Sequence, residues 1–341
     1  MRKNKEKNRN TRLIIGFIGK KSLFSQSPTF PFPNPLVMKP LLFSTQKYDY
    51  LRQEMLQTGA YEEGRITHKT FPDGEHYYRI ENDLTHQAAV LIGGTISEND
   101  TLELYDLACG LVGYGVRELT LLVPFFGYST MERAVKKGEV VTAKTRARLL
   151  SSIPQASYGN QIVMVDLHVT GLQHYFEGGI KAFHLYAKPL IIKAAKDLAG
   201  SNFVLASTDA GRAKWVESLA NDMGVSAAFV YKRRSSGSDT QITGVNADVK
   251  NQKVVLYDDM IRTGGSLLNA AQAYKEAGAS QIFVIATHGV LPQGSIEKIQ
   301  NSGLIQKIIL TNTHPKAVEI ASDFVEVRSI STLLHDFIQS L

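Results

Sequence analysis

From Met38 onward, short apolar runs alternate with amphipathic stretches along the whole chain. AAVLIGG (88–94), LTLLVP (119–124) and IVMVDLH (162–168) are near-continuous apolar runs in the first half. NFVLAS (202–207), VSAAFVY (225–231), KVVLYDD (253–259), IFVIAT (282–287) and KIIL (307–310) follow in the second. Runs of this length without strict alternation read as strands covered on both faces. Between them lie stretches at helical spacing: from about residue 97, 189–200, 212–224, after Ser266, after Gly294, and the final STLLHDFIQSL. Strands that alternate with helices predict parallel sheets, because a parallel connection needs a crossover helix. The pattern predicts an α/β fold of two similar domains, each a mainly parallel sheet flanked by helices. They are expected at 38–186 and 187–328, with a C-terminal helix at 329–341 packing back on the first. FPDGEHYYRI (71–80) predicts a hairpin turning at Asp73-Gly74.

Residues 1–37 break the pattern. They are basic, proline-containing and aperiodic, with eight Lys or Arg against Glu6. They are read as a disordered or non-native extension, with Met38 a candidate start and a targeting role the alternative. The +6 net charge of the 341 residues belongs to this tail, which leaves the body near neutral and without a nucleic-acid footprint. No run of 18 or more apolar residues predicts a membrane span. One cysteine, Cys109, excludes an intramolecular disulfide framework and fits the cytoplasm.

Chemistry-bearing residues gather where apolar runs end. KVVLYDDMIRTGGS (253–266) is a strand, two carboxylates, a small-residue turn and a helix start. Gly264 and Gly265 let backbone N–H groups approach a ligand, and a helix N-terminus favours an anion. Thr263 and Ser266 add hydroxyls. Asp258 and Asp259 repel phosphate and suit sugar hydroxyls or Mg²⁺. One ligand with a phosphate and a polyhydroxyl end satisfies both. Asp166 and His168, two residues apart, are expected on one strand face. Asp209 follows another strand. Lys232 and Arg234 open the polar stretch 235–244, expected to be a loop that closes over substrate.

These motifs resemble the ribose-phosphate pyrophosphokinases, through FPDGE, TISENDTLELYDL, VPFFGY, Ala143-Lys144, VDLH, STDAG, YKRR and VVLYDDMIRTGGS. The likeness covers about 38–330 and implies two phosphoribosyltransferase-like domains. It implies transfer of the diphosphoryl group of ATP to the C1 hydroxyl of ribose 5-phosphate, with Mg²⁺. The ribose-5-phosphate residues so implied are Asp258, Asp259, Arg262, Thr263, Gly264, Gly265 and Ser266. His168, Asp209, Asp258 and Asp259 fall on metal positions. Lys232, Arg234 and His168 fall on catalytic ones. Phe71, Asp73, Glu75, Arg133 and His168 fall on ATP positions, the hairpin reaching the adenine of a neighbouring subunit in a dimer-based homo-oligomer, commonly a hexamer. Two departures stand out. Ser129-Thr130-Met131-Glu132-Arg133 lacks the family's usual arginine and glutamine and resembles a divergent class known from plants, which leaves the nucleotide donor and regulation open. Arg262 replaces a frequent Asp. A non-catalytic regulatory homologue and a phosphoribosyltransferase are the alternatives; intact strand-end residues disfavour the first, the FPDGE hairpin and YKRR the second.

Overall fold

The structure, a computed structural model, describes residues 38–234 and 240–341. The first half contains β1 (Leu41–Ser44), α1 (Asp49–Leu56), β2 (Glu62–Glu63), β3 (Ile66–Thr70), β4 (His76–Ile80) and β5 (Ala88–Ile92). It continues with α2 (Glu98–Gly113), β6 (Glu118–Val123), α3 (Thr142–Ser151), β7 (Asn160–Val165) and β8 (Lys181–Leu185). The second half contains α4 (Lys188–Ala199), β9 (Val204–Ser207), α5 (Ala213–Met223), β10 (Ser226–Ala228), β11 (Val230–Arg234), β12 (Thr240–Val245) and β13 (Lys253–Ile261). It ends with α6 (Gly265–Glu276), β14 (Gln281–Gly289), α7 (Ser295–Asn301), β15 (Lys307–Thr311), α8 (Pro315–Glu319), β16 (Val325–Arg328) and α9 (Ser331–Gln339).

The strands form two six-stranded sheets, ordered β2-β1-β5-β6-β7-β8 and β10-β9-β13-β14-β15-β16. Every pairing within them is parallel. In each half an antiparallel hairpin, β3–β4 or β11–β12, is inserted between the edge strand and the third strand of the sheet. The second half thus repeats the strand order and the hairpin insertion of the first, with α8 added between its last two strands, although no sequence repeat is visible. A buried parallel strand asks only for apolar side chains of suitable volume, so topology outlasts identity.

Met38–Leu341 forms one compact unit. One apolar cluster runs through both halves: Leu42, Ile92 and Val163 of the first sheet share it with Leu205, Val255 and Ile285 of the second. Ile191, Ala194 and Ala195 of α4 lie in the same cluster, and α4 packs on β13 and β14. Each fully buried Leu or Ile contributes about 1.5–3 kcal/mol, so this shared layer sets the halves' relative position. α9 adds Phe337 against Phe183, ring centroids 5.7 Å apart, and His335 Nδ1 lies 3.2 Å from Tyr61 Oη. Polar bonds complete the seam. Tyr48 Oη donates to Thr313 O (2.9 Å), and Thr287 Oγ1 to Asp166 Oδ2 (2.5 Å).

Several expectations need correction. The run 225–231 is two strands: β10 pairs with β9 up to Ala228, and Phe229 instead exchanges bonds with Asn246, which sends β11 into the hairpin. Residues 240–244, expected in a loop, belong to β12, while 235–239 lie outside the described residues. The basic extension 1–37 also lies outside them. β7 stops at Val165, and Asp166 takes φ 38°. The alternation that placed Asp166 and His168 on one face therefore does not hold. The start of α2 is capped by Ser97, whose hydroxyl accepts from Asp100 N at 3.2 Å.

Candidate active site

The C-terminal ends of β9 and β13 open into a cleft of about 500 Å³. Its lining brings together Thr130, Glu132, Arg133, His168, Thr208, Asp209, Arg212 and the stretch Asp258 to Leu267. Strand ends at the carboxyl edge of an open sheet are where such folds hold ligands.

One end is an anion nest. Gly264 sits at φ +76° as the residue preceding α6, and no side chain caps this helix. Gly265 and Ser266, expected in a loop, form its first turn. The first N–H groups of a helix lack intrahelical partners and carry its positive end, so a phosphate there gains both hydrogen bonds and dipole. A Cβ on Gly264 would stand 2.7 Å from Ile299 Cδ1, so sterics as well as φ disfavour a larger residue.

The other end is acidic and unequal. Asp258 accepts a hydrogen bond from Thr208 Oγ1 at 2.7 Å. Burial, and then the charge of Asp259, raise its carboxyl well above the usual range. Asp259 is 2% exposed. Its Oδ2 lies 2.8 Å from His168 Nδ1 and 2.5 Å from an Arg212 terminal nitrogen. Burial opposes its ionisation, but the His168 hydrogen bond and the Arg212 charge outweigh it and hold the carboxyl low. Arg212 also approaches His168 Nδ1 at 3.0 Å and donates to His168 O at 3.2 Å. Nδ1 cannot both donate to Asp259 and accept from Arg212. Beside an ionised carboxylate the donor tautomer is favoured, an assignment from the hydrogen-bond network, which leaves Nε2 for the cleft.

The remaining sequence-derived residues divide. Asp209 and Arg262 line the cleft, and Asp209 Oδ1 accepts from Gly211 N at 2.9 Å. Arg133 reaches it from the first half. Lys232 and Arg234 lie on β11, opposite Ile242 and Thr240. Phe71, Asp73 and Glu75 form the tip of the β3–β4 hairpin and are not part of the cleft lining. The tip is closed by Phe71 N to Glu75 O at 2.8 Å and by Glu75 N to Asp73 Oδ1 at 3.1 Å. Asp166 is buried in the seam, where burial lifts its carboxyl to about 6. Arg212 and Thr208 were missed. The available signal was a cation three residues after the strand-end Asp209, read as part of the helix.

Among the described residues, no three His, Cys, Asp or Glu converge closely enough to hold a metal alone. Mg²⁺ needs no such cage: it takes one or two carboxylates, waters and substrate phosphate oxygens. Asp209 and Asp258, both in the cleft, fit that demand. Asp259 and His168 are engaged with each other and with Arg212.

Comparison with known proteins agrees with this geometry. A family model described as the N-terminal domain of ribose phosphate pyrophosphokinase matches residues 40–153. Another, described as phosphoribosyl synthetase-associated domain, matches 206–341. A ribose-phosphate pyrophosphokinase of Synechococcus elongatus is 30% identical over 321 residues, 92% of this chain and 95% of the relative. That of Pyrococcus furiosus is 30% identical over 264 residues, 77% and 90% of the two chains. The crystal structure of phosphoribosylpyrophosphate synthetase from Mycobacterium smegmatis superposes with a TM-score of 0.78 at 27% identity, covering 89% of this chain and 98% of that one. The paired sheets, the nest at Gly264 and the matches along nearly the full body lead to one assignment: this chain belongs to the ribose-phosphate pyrophosphokinase family.

Proposed function

We propose that the cleft transfers the β,γ-diphosphoryl group of ATP to the C1 hydroxyl of ribose 5-phosphate, giving phosphoribosyl pyrophosphate and AMP. The observation that carries this reading is the pairing, in one cleft, of an anion nest at Gly264 with the carboxylate of Asp258 and the imidazole of His168. The 5-phosphate sits on the N-terminus of α6, helped by Arg262 and the hydroxyls of Thr263 and Ser266. Asp258 receives the ribose hydroxyls. That orientation turns C1 toward Arg133 and His168, where the ATP phosphates lie. The C1 oxygen attacks the β-phosphorus, the bond to the α,β-bridging oxygen breaks, and AMP leaves with that oxygen. His168, oriented through Nδ1, accepts the hydroxyl hydrogen bond at Nε2. Lys232 and Arg234 close over the transferring phosphates, where positioning and charge neutralisation dominate the barrier.

Asp209 and Asp258 would hold a Mg²⁺ together with the nucleotide, and the ion would supply neutralisation of phosphate charge. Phe71, Asp73 and Glu75 lie outside this chain's cleft, which suits them to the adenine of a second copy in a homo-oligomer. A cytoplasmic location goes with the reaction and its substrates. The test is AMP release from Mg-ATP with and without ribose 5-phosphate, repeated with GTP and CTP and across inorganic phosphate. AMP that depends on the sugar is expected. Indifference to phosphate and broad donor use are the outcome Ser129–Arg133 suggests, and ATP turnover blind to the sugar refutes the reading.

A further inference from the structure

Asp259 is an acid with nowhere to go. It is 2% exposed, and one oxygen carries both the Arg212 guanidinium at 2.5 Å and His168 Nδ1 at 2.8 Å. Leaving such a buried carboxylate unpaired is strongly unfavourable. A divalent cation drawn to Asp259 and His168 meets a guanidinium already in place. Arg is suited to this, because it stays protonated and its charge is weakly hydrated. Here one terminal nitrogen, Nη2, serves Asp259 Oδ2 and the backbone oxygen of His168 together. The Arg212 backbone immediately precedes α5, which fixes where the side chain starts.

We propose that Arg212 is a resident counter-cation of the active site, occupying the Asp259–His168 face in place of a metal ion and holding His168 in position for chemistry. The inference rests on reading this cleft as the ATP and ribose-5-phosphate site. It separates the four sequence-derived metal positions into two kinds. Asp209 and Asp258 meet a cation that arrives with the nucleotide. Asp259 and His168 form a hydrogen-bonded pair already charge-matched by Arg212, which a chelator cannot strip. Arg212 is thus a positioning residue that acts through both partners.

The molecule carries its own reporter. Trp215, the one tryptophan in the sequence, stacks on Tyr186 with ring centroids 5.1 Å apart. Both line, with Arg212, His168 and Asp259, a small cavity of about 110 Å³ behind the cleft. A cation entering the Asp259–His168 face therefore arrives beside an indole.

The test is a Mn²⁺ titration of the nucleotide-free full chain. It is followed by the loss of the free-Mn²⁺ resonance signal and by Trp215 emission, for wild type, Arg212→Met, Arg212→Gln and the double variant R212M/D259N. Arg212→Met is expected to bind Mn²⁺ about 10-fold or more tightly than wild type, the scale on which partners of metal ligands act, and to quench Trp215 on binding. The gain is expected to vanish in R212M/D259N. Mn²⁺ affinity unchanged in Arg212→Met with native circular dichroism overturns the proposal, as does a gain that survives D259N. If Arg212→Met does not fold, Arg212→Gln decides: a neutral amide keeps a donor but removes the charge, so a rise in Mn²⁺ affinity supports the proposal and none refutes it. Wild-type AMP release is read separately. A silent wild type alongside a Mn²⁺ gain removes the functional reading and leaves the counter-cation. An active wild type without the gain does the reverse.

Discussion

Gly264→Ala and Gly265→Ala add the same methyl group one residue apart, with opposite expected consequences. At Gly264 the backbone holds φ +76°, which costs an L-residue about 1–2 kcal/mol. The new Cβ also meets Ile299 Cδ1 at 2.7 Å and Cγ1 at 2.8 Å, and Ile299 is fully buried. Forcing extra volume into such packing costs about 1–3 kcal/mol, so the total is about 2–5 kcal/mol. At Gly265 φ is ordinary for a helix start, and the nearest atom to a new Cβ is Thr263 Oγ1 at 3.9 Å. That methyl mainly restricts the unfolded chain and is expected to stabilise by about 0.4–1 kcal/mol. Urea unfolding of both variants reads the contrast. Kinetics then separates fold from ligand. Displacing one N–H from a phosphate forfeits about 1.5–3 kcal/mol, so Gly264→Ala is expected to raise the KM for ribose 5-phosphate about 10- to 100-fold. Adding Ile299→Val removes the atom met at 2.7 Å but leaves Cγ1 at 2.8 Å, and should recover only a fraction of the packing loss and none of the φ part. Equal stability of the two glycine variants, or an unchanged KM in Gly264→Ala, refutes the reasoning.

Two further predictions follow from buried charge and from the hairpin. Burial holds His288 and His314 at about 4, so the folded state binds fewer protons than the unfolded one between about pH 6.5 and 4. Stability present above 6.5 is therefore lost on acidification, by about 2 kcal/mol for each at pH 5. Asp166, lifted to about 6, opposes this by about 1 kcal/mol as it takes up its proton, raised Asp258 opposes it too, and His184, held at about 4 by burial, adds to the loss. The net expectation is a lower urea midpoint at pH 5 than at pH 7, and a midpoint that does not fall contradicts it. Lys232→Ala should lower kcat about 10²–10³-fold with substrate KM values near normal; stopped assays at saturating substrate decide, and near-normal turnover removes Lys232 from the mechanism.

The α/β layering was legible because buried parallel strands leave uninterrupted apolar runs, as at 119–123 and 282–287. The short edge strands were not: Glu62–Glu63 carries no apolar signal, since its place is set by backbone pairing with β1. The β10–β11 break was hidden because Ala228, Phe229 and Val230 read as one apolar run, and the turn there depends on Asn246, seventeen residues away. The site's loop was readable from Asp258 through Ser266 because phosphate binding requires small residues next to a helix start. Asp166 misled because alternation was extended past the end of β7. Its carboxylate is claimed by Thr287 across the seam, a partner 121 residues distant. Arg212 was invisible for a related reason: an arginine near a helix start is ordinary in sequence, and only the approach of Asp259 gives it a role.

The central claim concerns which phosphorus atoms move. Phosphorus NMR of the protein with Mg-ATP and ribose 5-phosphate follows all of them at once. The β and γ resonances are predicted to disappear together and reappear as a diphosphate bonded to the sugar's C1, in step with AMP. Appearance of ADP, of inorganic pyrophosphate, or of AMP without a C1-bonded diphosphate contradicts the account.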